Sequence, residues 1–152
     1  MRKLGADDAI TLNNLACAIL LPDSGGTPAD ALKVAEQAYQ RANVSPDSAT
    51  LWPIVADTYG WALVKNNRAS EGIDILRRAS ENATFPDVFL HLAEASLAGG
   101  DLSAAEVALT DAKNQLDSAE RRKQAVDPTM KTKFAQLTEE LAKKKASAGG
   151  AE

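Results

Sequence analysis

Along most of the chain, apolar and small residues recur at intervals of three and four, the rhythm of one face of a helix. Three segments share one pattern: Leu12-x-x-Leu15-Ala16-x-x-Ile19, Ala56-x-x-Tyr59-Gly60-x-x-Leu63 and Phe89-x-x-Leu92-Ala93-x-x-Ser96. Each is followed by a partner with small residues at fixed offsets: Ala31-x3-Ala35-x2-Ala38, Gly72-x3-Leu76-x2-Ala79 and Ala105-x3-Leu109-x2-Ala112. Gly60 and Gly72 stand 12 residues apart, as do Ala93 and Ala105, and Gly60 stands 33 residues before Ala93. Small residues in facing positions let two antiparallel helices approach closely. The pattern predicts seven or eight helices, paired antiparallel, and no sheet.

The breaks between segments fit that reading. Lys65-Asn66-Asn67-Arg68 and Ala98-Gly99-Gly100-Asp101 are turns, because Asn and Gly accept the left-handed backbone that ends a helix. Asp101 is placed to cap the helix that follows. The first pair is three residues longer between its small residues, and Pro22–Pro28 reads as an enlarged turn. About seven further residues separate the first and second pairs. They are assigned to Pro46–Trp52, with Pro53 at the first position of the next helix. One long helix kinked at Pro53 is the alternative. After Ala112 the apolar phase continues through Leu116 and Ala119, which carries that helix to about residue 125. Asp127-Pro128 starts a last helix, with Asp as its cap and a stripe of Met130, Phe134, Leu137 and Leu141.

This arrangement resembles the tetratricopeptide repeat, a helix-turn-helix unit of 34 residues repeated in tandem. The stretch Asp57-Thr58-Tyr59-Gly60-Trp61-Ala62-Leu63-Val64 carries the likeness most closely. It is also similar to repeats in bacterial tetratricopeptide proteins of exopolysaccharide export and outer-membrane assembly. The resemblance covers roughly residues 8–117. Ala56 stands where the family has a large residue and Ser96 where it has an aromatic. It implies an all-α fold, a right-handed superhelix of about three helix-turn-helix repeats closed by a C-terminal capping helix. The expected organisation is a repeat array over 8–126, a capping helix over 127–145 and a disordered tail over 146–152. A contact between two copies is the rival role for the last helix. The resemblance further implies a concave surface lined by the first helix of each pair. Its residues here are Asn13, Cys17 and Leu20, then Asp57, Trp61 and Val64, then Leu90, Glu94 and Leu97. Family members that grip a C-terminal carboxylate use Lys, Arg and Asn at such positions. The apolar and acidic lining here points instead to an apolar or amphipathic segment of a partner protein. Trp61 has two readings, an anchor for that partner or a packing residue between repeats.

Composition narrows the function classes. The chain has 152 residues, enough for a core without disulfides or metals. Aromatics make up 5%, so the core is built from Ala, Leu, Ile and Val. The formal net charge of −4 is uneven, about −7 over residues 1–112 and +3 over 113–152. An acidic body disfavours a nucleic-acid groove, which needs a basic face. The basic C-terminal stretch reads as a solvated helix. No stretch approaches the roughly 20 apolar residues of a membrane span, and no signal-type apolar run follows Arg2-Lys3. The compartment is left open, cytoplasmic or, for a piece of an exported protein, periplasmic.

The chain carries one cysteine, Cys17, and one histidine, His91, in different repeats. They give neither a nucleophile–base pair nor a spaced metal-ligand set. The expectation is a non-catalytic module without a cofactor that binds a protein or peptide. Its alternative is a self-assembling scaffold segment of a larger bacterial export or assembly protein, with a homo-oligomer as one outcome.

Overall fold

The computed structural model describes residues 6–44 and 49–149. These residues form seven α-helices and no strand, an all-α fold. In order they are α1 (Ala6–Leu20), α2 (Pro28–Asn43), α3 (Trp52–Lys65), α4 (Ala69–Ser80), α5 (Asp87–Gly99), α6 (Leu102–Arg121) and α7 (Pro128–Gly149). They divide between two compact units, Met1–Asn82 with α1 to α4 and Ala83–Glu152 with α5 to α7.

In the first unit α1 pairs with α2 and α3 with α4, and α3 packs on both α1 and α2. Alanines make the close contacts. Ala9, Ala38, Ala42 and Val55 form one buried cluster, flanked by Leu12, Tyr39 and Leu51. Ala16, Ala35 and Ala62 form another, flanked by Leu20, Leu32, Val34 and Tyr59. Three aromatics, Tyr39, Trp52 and Tyr59, meet between α2 and α3. Tyr39 stacks on Tyr59 with ring centroids 4.8 Å apart, and Trp52 donates to Asn43 Oδ1 at 2.7 Å. Burial pushes the Tyr59 phenol up, and nearby Glu36 adds to the shift.

The α3–α4 hairpin is the tightest. A Cβ on Gly60 would lie 2.8 Å from Leu76 Cγ and 3.0 Å from the Gly72 carbonyl oxygen. A Cβ on Gly72 would lie 2.6 Å from the Gly60 carbonyl oxygen. The two backbones therefore touch where the 12-residue spacing places the glycines.

Helix ends follow local chemistry. Thr27 and Asp30 form a capping box at α2: Asp30 N–H donates to Thr27 Oγ1 at 3.2 Å, and Thr27 N–H donates to Asp30 Oδ2 at 3.1 Å. Asp101 accepts from Ala104 N–H at 2.9 Å and caps α6. Asp127 accepts from Thr129 N–H at 2.9 Å and caps α7. Asn67 (φ 61°) and Gly100 (φ 80°) take the left-handed turns. Asn66 donates to the carbonyls of Pro28 at 2.7 Å and Ala62 at 2.8 Å, tying the end of α3 to the start of α2.

Four details differ from the sequence expectation. Leu15 is exposed, while Ala9, Asn13 and Ala16 are buried. The buried stripe of α1 is thus turned from the expected one, because α2 and α3 cover only one side of it. Helix α3 already begins at Trp52, so Pro53 is its second residue; of the assigned insertion, residues 46–48 lie outside the described residues. Helix α6 stops at Arg121 rather than near 125, because Lys123 turns left-handed (φ 55°) and Gln124 N–H closes back on the Ala119 carbonyl at 2.9 Å. The tail expected to be disordered from 146 is helical through Gly149. Ion pairs Lys143–Glu139 at 2.6 Å and Lys144–Glu140 at 3.7 Å sit four residues apart in the last turns, which favours helix there. Residues 150–152 lie outside the described residues.

Candidate partner-binding surface

The nine residues expected to line the concave surface fall into two sets, six in the first unit and three in the second. In the first unit α1 and α3 lie in contact. Asn13 is buried on α1, with Nδ2 3.9 Å from Cys17 Sγ and Oδ1 without a hydrogen-bond partner. Cys17 is exposed, and its Sγ lies 3.4 Å from Thr58 Oγ1 on α3. Leu20 is half-buried and packs against the Ala16–Ala35–Ala62 cluster.

On α3, Asp57 is 6% exposed and Trp61 is 8% exposed. Lys65, one turn on, holds its Nζ 4.3 Å from the Trp61 ring centroid, a cation–π contact. Val64 is half-buried and fills the space beside Gly72, its Cγ2 2.6 Å from where a Cβ there would stand. Position one past the glycine does not hold Trp61 out in solvent.

In the second unit α7 packs on both α5 and α6. Leu90 and Leu97 are buried on α5, and Glu94 is half-buried beside them. Lys133 of α7 forms an ion pair with Glu94. Helix α7 thus takes the place on the α5–α6 hairpin that α3 takes on the α1–α2 hairpin. Two clefts flank its first turns, and Met130 lines both. The smaller, about 150 Å³, is bounded by Asp87, Leu90, His91, Thr129, Met130 and Lys133. The larger, about 410 Å³, has Phe85, Pro86, Ala119, Val126 and Met130 as apolar walls and Arg122 at its edge.

Sequence reasoning missed Thr58, Lys65 and Lys133. Thr58 and Lys65 adjoin residues that were chosen, one beside Asp57 and one a turn after Trp61. Lys133 lies between Met130 and Phe134 on a stretch read as a solvated basic face. That stretch is not merely solvated. Lys131 pairs with Glu120, Lys133 with Glu94, and Lys145 with Glu106 at 2.7 Å, all between helices. Two lysines of the positive end, Lys133 and Lys145, therefore meet acidic residues of the body directly.

Among the described residues no three His, Cys, Asp or Glu side chains lie together in a way that holds a metal ion. No described helix is long and apolar enough to cross a membrane. No family model matches the chain, and no curated protein matches it.

Proposed function

We propose that this chain is a non-catalytic helical-repeat module of the tetratricopeptide kind. Its first-of-pair helices form a right-handed superhelical surface that holds an amphipathic helix of a partner protein. The observation that supports this most is the seating of α7. The α5–α6 hairpin already carries an amphipathic helix, through Leu137 and Leu141 in the packed face and lysines reaching acidic residues at its edges. Helix on hairpin is the recurrent joint of this fold, since α3 sits on α1 and α2 in the same way. A partner helix with leucines one turn apart uses the same chemistry.

The reading also fits Cys17, Leu20 and Val64, which keep exposed or half-exposed surface on α1 and α3. Asp57 and Trp61 are buried on α3, and Leu90 and Leu97 on α5, so these four are packing residues rather than exposed surface. A library of displayed peptides, selected on the intact protein, tests the proposal. The selected peptides should carry apolar residues at three- and four-residue spacing and compete with one another. Selection of extended acidic or proline-rich peptides, or of none above background, would contradict it.

A further inference from the structure

We infer that α7 exchanges between two copies of this chain, each copy's α7 docking on the α5–α6 hairpin of the other. Two independent observations carry this. The first is the hinge. Residues Arg122-Lys123-Gln124-Ala125-Val126 contain no glycine or proline, and four of the five residue types are strong helix formers. Local preference therefore continues α6 up to Asp127, where Pro128 halts it. The chain instead leaves the helix at Arg121, using Lys123 at φ 55° to turn back. A lysine in the left-handed region is disfavoured, and glycine is the residue that takes it freely.

The second observation is the grip on α7. Of its 22 residues only Leu137 and Leu141 are buried, and Met130 and Phe134 are half-buried. Its interhelical ties include the ion pairs to Glu94, Glu106 and Glu120, which are partly or largely exposed to solvent. Clefts on either side of Met130 leave its first turns loosely packed.

Exchange keeps the packing of α7 on α5 and α6, because the partner's α7 makes the same contacts there. What changes is the hinge, which straightens into a longer α6 and releases the left-handed Lys123. Exchange of one identical element between two copies closes on itself as a dimer.

The test uses the full chain, held near its unfolding midpoint to let exchange equilibrate and then returned to 25 °C. Light scattering coupled to size exclusion then reads the dimer fraction from micromolar to millimolar concentration. The expected result is a dimer that grows with concentration and separates from monomer as a distinct, slowly interconverting species. Lys123→Gly relaxes the turn and weakens the extended hinge in both copies, so it should lower the dimerisation constant by about tenfold or more. Leu137→Ala should speed exchange between copies mixed with different tags and leave the dimerisation constant nearly unchanged. A chain that stays monomeric throughout overturns the inference. So does a dimer indifferent to Lys123→Gly, which would be an ordinary surface contact.

Discussion

Gly60 and Gly72 show how a single missing atom sets a helix pair. A Cβ on either would meet the other's backbone oxygen and a packed side chain. Gly72→Ala forces the α3–α4 backbones apart and should cost about 1–3 kcal/mol, the usual range for overpacking. Chemical denaturation checks this, and an unchanged midpoint would show that the hairpin has slack. Ser96 makes the opposite case. Its hydroxyl is buried and without a hydrogen-bond partner where the other copies place Ile19 and Leu63. Ser96→Ala should therefore stabilise the protein, by about 1 kcal/mol, seen as a raised melting temperature. Trp61 is the residue the sequence left undecided. Its ring is nearly covered and held by Lys65, so Trp61→Ala should remove stability first, about 3–5 kcal/mol for a buried Trp. The near-ultraviolet circular dichroism of the folded fraction should fall with it. The hydrophobic pattern gave Trp61 its helix and its phase. It did not give the depth of the surroundings, which depends on neighbours remote in sequence.

Helix α7 is where sequence and structure agree in kind and differ in extent. The stripe Met130, Phe134, Leu137 and Leu141 was legible from spacing alone. Only its second half is buried, because clefts remain around Met130 near the start of the helix. Leu137→Ala should cost about 2–4 kcal/mol, and Phe134→Ala distinctly less, measured side by side by thermal unfolding. Equal losses would place Phe134 in the core after all. The Gly and Ser of the C-terminal stretch argue for a disordered tail, but the pairs of Lys143 and Lys144 with Glu139 and Glu140 four residues back favour a longer α7. The end of α6 was overestimated for a related reason. Helix formers fill most of 122–126, and the turn at left-handed Lys123 is not one that local preference encodes.

Across the chain, the repeat was readable because small residues at fixed spacing have one efficient use, the close pairing of helices. The hairpins α1–α2, α3–α4 and α5–α6, their turns and most caps follow from it. The exposure of the expected binding residues does not, since a first-of-pair helix shows one strip to solvent and the periodicity fixes that strip only to within a residue or two. Acid stability follows from the caps and edge pairs. Thr27 hydrogen bonds hold the Asp30 carboxyl below its usual value, Arg68 does so for Glu71, Lys113 for Asp117, and Lys143 for Glu139. A carboxylate with a lowered folded-state value adds stability above its unfolded value and loses it as pH falls through the folded one. Stability should therefore hold through neutral pH and decline below about pH 4, measured by denaturant midpoints at a series of pH values. A midpoint that rises on acidification would contradict the role of these pairs.

The most direct measurement of the binding account is a nuclear magnetic resonance titration of the intact, isotope-labelled protein with an amphipathic helical peptide. The peptide carries leucines four residues apart and flanking lysines, on the pattern of α7. The account predicts saturable shifts concentrated on α1 and α3, with Cys17, Leu20 and Val64 among the residues affected. Shifts confined to α2, α4 and α6, or no saturable shift at millimolar peptide, would contradict it.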